Sequence, residues 1–523
     1  MTCGVERWHG GRTRAPHRGL LAPDVPPVHH GPRERRALAL GLLLTIVLIA
    51  LLLRTPSLRP WASNVMVDTG QVVAALPATA IGINAAVWDG HLRDAAVPAL
   101  LRGVGVALLR YPGGAVADAY HWKTNLFTPG DGGDALPTNG FDNFMTGVVR
   151  QSGARALITV NDGSNAAGTG GGDPAEAAGW VRYANVTKGY GVTYWEIGNE
   201  VYGNGYYGVR WETDMYPNHS PAAYARNALT YIATMKRVDP SIQVGLDVMT
   251  PGDWMDRARA GDENWNRTVL SIAGPAADFV SVHWYPQQPG AETDAGLLAS
   301  PSRIPAMVAR LRALIARYGG ARASRIGIMV TGSNSVTNTP GKQTTGVVNG
   351  LFLLRDYLAW LQAGARNVTW WNLHNGAQRA GANNGARLTG ATTYGDYGLL
   401  ASGGTNEPAA DTPFPSFAAL RLLGGALLPG SLFIRSVSLL PAVTVHALRQ
   451  PGERLAIILI NTGASAGYMI VPRVDGMVAS SGSVTTFGPV ESGGMPRSLP
   501  LRDGSVTYHL APYTAAVLEF RTR

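Results

Sequence analysis

Cysteine is almost absent from this chain: one occurs in 523 residues, and it is Cys3. Everything after it forms neither disulfide nor thiolate metal site, so stability must come from packing. Charge is also sparse. Charged residues make up 15% of the sequence against 46% hydrophobic ones, a balance that fits well-buried globular domains and excludes a disordered chain. The net charge of +9 invites a nucleic-acid reading until it is localised. Seven arginines within residues 1–36, set against Glu6, Asp24 and Glu34, supply nearly half of it. No Lys/Arg run elsewhere marks a phosphate-binding face, so nucleic acid is not an expected partner. Two absences are local. Residues 37–53 contain no charge, and no Asp or Glu occurs between Asp294 and Asp356.

The charge-free run "ALALGLLLTIVLIALLL" follows "RERR". A membrane-crossing helix needs roughly 17 to 25 apolar residues, and a cleaved signal peptide only about 7 to 15 followed by a small-residue cleavage site. The run therefore predicts one N-terminal transmembrane signal anchor, with an Arg-rich cytoplasmic tail at 1–36 and the remainder extracytoplasmic. Secretion after signal cleavage is the alternative. A Pro-containing linker is expected over 54–72.

At this length two or more globular units are expected. From residue 79, eight short β-rich runs alternate with helical spacing: "TAIGIN", "VALLR", "ALITV", "VTYWEIG", "IQVGLD", "FVSVHW", "IGIMV" and "VTWWNL". Two of the helical stretches begin with Pro directly after Asp173 or Ser220, a good helix start. Eight such units predict an α/β fold, a (β/α)8 TIM barrel over 73–424. From 425 to 523 short strands separated by turn residues, without helices, predict a C-terminal antiparallel β-sandwich.

The sharpest chemical signal is "YWEIGNE", Tyr194 to Glu200, on the fourth run. Strand alternation places Glu196, Gly198 and Glu200 on one face, and four residues at about 3.3 Å each separate the glutamates by roughly 13 Å. Glu196 then lies low inside the barrel, while Glu200 reaches the carboxyl end, where barrel enzymes do their chemistry.

This segment resembles the acid/base motif of clan A glycoside hydrolases, most of all the α-L-arabinofuranosidase-like families that carry a β-sandwich after the barrel. "LLRYPGGAVADAYHW" (108–122), "VSVHWYP" (280–286) and "NVTWWNLHNG" (367–376) resemble their second, sixth and eighth strand segments in the same order. The resemblance spans nearly all of residues 79–520. It implies a polysaccharide or oligosaccharide partner, no cofactor, Glu200 as general acid/base, and Asn199 as the hydrogen-bond partner of a substrate hydroxyl. It further implies that Arg110, His283 and Tyr285 surround the nucleophile. Trp122, Trp284 and Trp371 are candidate sugar-stacking platforms. The plainer readings stand beside these: Glu200 as a buried structural glutamate, Arg110 as a barrel-end salt-bridge partner, His283 and Tyr285 as packing, and the tryptophans as core. No His/Asp/Glu spacing specifies a metal.

The nucleophile is the exception. The resemblance places a glutamate after the threonine that ends strand seven, and here "IMVTGSNSV" has Gly332 after Thr331. The acid-free stretch between Asp294 and Asp356 means that no register slip supplies a substitute. Asp118, Asp162 and Asp247 follow or end other strands and are the remaining candidates. The expectation is a membrane-anchored, extracytoplasmic glycoside-hydrolase-like protein that acts on or binds arabinofuranoside-type or related polysaccharide. The alternative is a catalytically inactive carbohydrate-binding pseudoenzyme of the cell envelope.

Overall fold

In the computed structural model, strand alternation sorts each run into inward and outward positions. The structure describes residues 63–131, 135–252, 265–378, 383–390, 393–490, 494–502 and 505–522. Ile81–Asn84, Leu108–Tyr111, Arg155–Val160, Tyr194–Ile197, Gln243–Asp247, Phe279–Trp284, Gly327–Ser333 and Asn367–Trp370 pair in parallel, each with the next, and close into an eight-stranded barrel. Helices such as Pro174–Val181, Pro221–Val238, Ile304–Tyr318 and Val347–Gln362 fill the connections. The Asp173 and Ser220 side chains cap two of them, accepting from the amides of Ala175 and Ala223 ahead of a proline in the first turn.

Inside, Leu108, Leu157, Tyr194, Phe279 and Met329 form an apolar floor. Leu109, Ile158, Trp195, Val280 and Val330, one residue further along each strand, point outward into the helix-facing core. Two residues above the floor the inward positions turn polar: Arg110, Thr159, Glu196, Ser281 and Thr331, each 1% exposed or less. The period of two thus stacks a charged layer on an apolar one.

The second unit of structure is a mostly antiparallel eight-stranded sheet with a two-stranded ladder, Tyr468–Ile470 and Tyr508–Leu510. Its central strand Arg454–Asn461 is buried on both faces. Leu455, Ile457 and Leu459 join the sheet's own core, and Ala456, Ile458 and Ile460 join the barrel's. One expectation is corrected. Val65–Ala75 is a strand of this sheet, antiparallel to Leu432–Ser438 and parallel to Pro472–Asp475, so the stretch assigned to the linker is ordered from residue 65. Val65 and Val67 alternate inward, and partners more than 360 residues away in sequence leave no local signal of the pairing. The predicted anchor at 37–53 lies outside the described residues, among which no helix is long and apolar enough to cross a membrane.

Asp356 ties the outer layer to strand seven. It is fully buried, and its Oδ2 accepts from the Ser333 hydroxyl at 2.8 Å. Burial pushes its carboxyl up to about 8, beyond what the bond from Ser333 counteracts. A carboxyl group that holds its proton more tightly in the folded state loses stability as pH rises from its unfolded value to its folded one. We therefore expect Asp356→Asn, which keeps an acceptor for Ser333, to flatten the decline of thermal stability between about pH 4 and pH 8. The difference approaches about 1.4 kcal/mol for each pH unit in that window. Melting curves of the two proteins across this range check it, and parallel pH profiles would show that Asp356 is not held as an acid.

Candidate active site

The chain leaves strand four at Ile197 and turns sharply. Gly198 has φ +73°, and a side chain there would run into Val201 and crowd Asp162. Glu200 itself lies in the left-handed region, φ +42° and ψ +39°, where a non-glycine residue is strained. The strand geometry behind the 13 Å spacing therefore ends before Glu200. Two buried carboxylates hold this turn: Asp118 Oδ2 accepts from the Asn199 amide at 2.9 Å, and Asp247 Oδ2 from the Val201 amide at 2.6 Å. They clamp the backbone on either side of Glu200.

Glu200 projects into a cleft of about 440 Å³, lined also by Tyr202, Arg210, Trp211, His283 and Tyr285. Its Oε2 accepts from the Trp211 indole at 2.7 Å, and its Oε1 lies 2.7 Å from His283 Nδ1. The other ring nitrogen of His283 lies 3.0 Å from the Thr331 hydroxyl, which donates to Glu196 Oε1 at 2.6 Å. Glu196 also accepts from Thr159 at 2.8 Å and from Arg110 Nε at 2.7 Å.

The donors in this chain can be counted. Glu196, paired with Arg110, is ionised, and Thr331 has one hydrogen, which goes to it. Nε2 of His283 must therefore carry a hydrogen for Thr331 to accept. That leaves one proton between His283 Nδ1 and Glu200: carboxylic acid facing neutral imidazole, or carboxylate facing imidazolium. Burial raises the Glu200 carboxyl, but the His283 hydrogen bond and charge, with Trp211 and the more distant Arg110, outweigh it and hold the group below its ordinary value. These contacts favour the carboxylate form of Glu200.

Strand seven carries a β-bulge. Val330 pairs with Val282 and Gly332 with His283, so two steps on strand seven match one on strand six. The bulge turns both Thr331 and position 332 toward the interior. A β-carbon added at Gly332 would come 3.1 Å from the His283 ring and 3.1 Å from the Tyr285 hydroxyl. Gly332 is not among the residues with positive φ, so its backbone conformation does not demand glycine.

His283, Tyr285 and Gly332 thus sit with Glu200, as the resemblance implies. Other expectations need correction. Arg110 is fully buried and does not face the space beside Gly332; its Nε, Nη1 and Nη2 bind Glu196, Asn84 and Asn199. Asn199 is 3% exposed, accepts from Arg110 and donates to Glu212 at 2.9 Å, so it belongs to the framework. Trp284 alternates outward from His283 and packs on Phe352 and Trp360 at 1% exposure, which leaves no platform for a sugar. Trp122 stacks on Trp180 with centroids 5.8 Å apart, away from the cleft. Trp371 is half-buried with its ring edge against Gly114, and does not line the cleft either.

Asp118, Asp162 and Asp247, the candidate substitute carboxylates, are 1–2% exposed and none lines the cleft. Burial pushes Asp118 up to about 7, and raises Asp162 and Asp247 well above the ordinary carboxylate range. Sequence reasoning missed Trp211 and Glu212, which arrive from a loop without periodicity. Glu212 is buried, with Oε2 unpartnered, and burial together with the neighbouring Asp118 and Glu200 charges raises it well above its usual value. Among the described residues no group of three or more metal-ligating side chains converges.

The barrel with its second sheet resembles the fold of clan A glycoside hydrolases, most of all that of the α-L-arabinofuranosidases. No protein-family model matches it. Alpha-L-arabinofuranosidase C of Emericella nidulans is 28% identical over 222 residues, covering 35% of this chain and 38% of that protein. The chain thus spans well under half the length of the curated relatives it matches. Among solved structures, the α-L-arabinofuranosidase of Thermotoga maritima in complex with arabinose superposes with a TM-score of 0.66 at 19% identity, covering 88% of this chain and 99% of that one. A Paenibacillus polymyxa xyloglucanase of glycoside hydrolase family 44 gives 0.62 at 14% identity, with the same coverage. At such identities the likeness establishes the fold alone.

Two predictions test this geometry. Arg110→Met leaves Glu196 as an unpaired buried charge and should cost about 3–5 kcal/mol of stability, measured by denaturant unfolding. A loss under about 1 kcal/mol would contradict the buried pairing. His283→Phe removes the strongest influence holding Glu200 ionised, so the Glu200 carboxyl should titrate at higher pH, as read by carboxyl ¹³C NMR. An unchanged midpoint would mean that His283 does not set it.

Proposed function

We propose that this chain is a carbohydrate-binding relative of the α-L-arabinofuranosidases in which the two-step retaining reaction is disabled. One observation carries the reading. Among the described residues Glu200 is the only carboxylate lining the cleft, and the strand-seven position that faces it across His283 and Tyr285 is Gly332. A retaining glycosidase needs two carboxyl groups about 5–5.5 Å apart, one to attack the anomeric carbon and one to protonate the departing oxygen.

The missing carboxylate has a second consequence. A neighbouring negative charge raises a carboxyl group's pKa, which keeps an acid protonated until the leaving group takes its proton. Glu200 has instead a donor on each oxygen and lies below its ordinary value. It is suited to accept hydrogen bonds from sugar hydroxyls and poorly suited to protonate a glycosidic oxygen. Tyr285 adds a hydroxyl at the cleft wall. The relatives' names point to arabinofuranosides as the first ligands to try. The charge-free run at 37–53 supports an extracytoplasmic, membrane-anchored placement, with the glycan partner in the envelope or its surroundings.

The decisive comparison is the wild type against Gly332→Glu, on arabino-oligosaccharides for binding and on aryl α-L-arabinofuranosides for turnover. The wild type should bind without turnover. The variant, after shifts of a few tenths of an ångström by His283 and Tyr285, should gain at least about 10²-fold in hydrolysis over the wild-type background, the scale of one positioned catalytic group. Equal rates in both proteins would refute the assignment of position 332. Loss of glycan binding with no gain in rate would refute the carbohydrate reading itself.

A further inference from the structure

Helix Val347–Gln362, "VVNGLFLLRDYLAWLQ", has two charged residues, and they meet different fates. Asp356 faces strand seven, where its Oδ2 accepts from Ser333. Arg355 faces the C-terminal sheet. Among the described residues no carboxylate or carbonyl accepts from it, and burial alone pulls its guanidinium down to about 10. An arginine that no protein acceptor pairs with, half-buried and open to the cavity beside it, calls for an explanation.

The surroundings supply it. Arg355 lines a cavity of about 440 Å³ between this helix, the turn at Pro301–Pro305 and strand Val443–Gln450. The volume falls within the usual range of small-molecule pockets, roughly 300–1,000 Å³. Val73, Pro301, Pro305 and Ala359 give it apolar walls. Two further polar groups converge on it. The Thr444 hydroxyl is buried with no hydrogen-bond partner. His446, whose Nδ1 lies 2.6 Å from Gln362 Oε1, is pushed down to about 4 by burial and the Arg355 charge, so its ring is neutral. No residue of this cavity belongs to the Glu200 cleft.

We propose that this cavity is a second ligand site, for an organic monocarboxylate with a compact apolar body. The planar guanidinium of Arg355 presents paired donors that match the two oxygens of a carboxylate. The Thr444 hydroxyl offers a third donor, and the apolar walls accommodate the body. A single cation and one hydroxyl suit a monoanion, whereas a phosphate dianion would be left short of donors.

Benzoate is the probe, with benzamide as its neutral counterpart and inorganic phosphate as the competing anion, each titrated by calorimetry into the full chain. Benzoate should bind saturably, benzamide and phosphate at least about tenfold more weakly. Arg355→Gln should weaken benzoate binding by at least about tenfold while changing thermal stability little in its absence, because the guanidinium is only half-buried and has no protein partner to lose. Thr444→Val, which disturbs no existing bond, is the second variant and should weaken binding severalfold. The His446 imidazole resonances should shift on benzoate addition, which locates the site. Absence of saturable benzoate binding, wild-type affinity in Arg355→Gln, an unmoved His446, or preference for phosphate would each overturn the proposal.

Discussion

The buried pair of Arg110 and Glu196 is the constraint on which the site depends. Both side chains are 1% exposed or less, and neither is stable there without the other. Their geometry fixes much else. Arg110 spans strands one, two and four through Asn84, Glu196 and Asn199, and Glu196 reaches across to strands three and seven through Thr159 and Thr331. Five of the eight strands are thereby fastened at one level, directly above the apolar floor. The Thr331 hydroxyl, committed downward to Glu196, dictates that His283 offers its Nε2 hydrogen, and so fixes how His283 meets Glu200. A charge one layer below the cleft thus sets the protonation choices at its surface.

The aspartates nearby serve the same purpose from outside. Asp118 and Asp247 grip the amides on either side of Glu200, and their interaction offsets the left-handed conformation that an unconstrained glutamate would avoid. Asp118, Asp162, Asp247 and Glu212 are all raised by burial, so each holds its proton more tightly than an exposed carboxyl group. Burial thus works against a build-up of negative charge beneath the turn that Asp118 and Asp247 brace. That arrangement explains why several acids can crowd one strand end while Glu200 remains below its ordinary value.

What the sequence disclosed follows the range of the physics involved. Period-two runs, proline at helix starts and the order of four motifs were enough for the barrel, the second sheet and the placement of Glu200, His283, Tyr285 and Gly332 together. The misassigned tryptophans show a local rule left unused. If His283 points inward then Trp284 points outward, and its burial against Trp360 follows from alternation alone. Other features were beyond local reading. The roles of Arg110 and Asn199 depend on partners 86 and 89 residues away in the chain, and Trp211 reaches Glu200 from a loop whose path no pattern encodes. The strand Val65–Ala75 pairs with residues near the opposite end of the chain, where sequence proximity says nothing.

Gly332 is best understood against this background. In a site whose rigidity rested on the strand-seven carboxylate, its loss would loosen the barrel mouth. Here the bulge is retained, Thr331 remains locked to Glu196, and Tyr285 stays within reach of the empty direction. The load is carried one layer down, so the carboxylate at the mouth is structurally dispensable. A carboxylate at position 332 would add repulsion against Glu200 and Glu196, in keeping with the tendency of active-site acids to cost stability. On the proposed reading, the fold can therefore lack an attacking group at position 332 and keep the shape, donors and aromatic edge of its cleft. Binding and chemistry are separable in this architecture because different layers of the barrel support them.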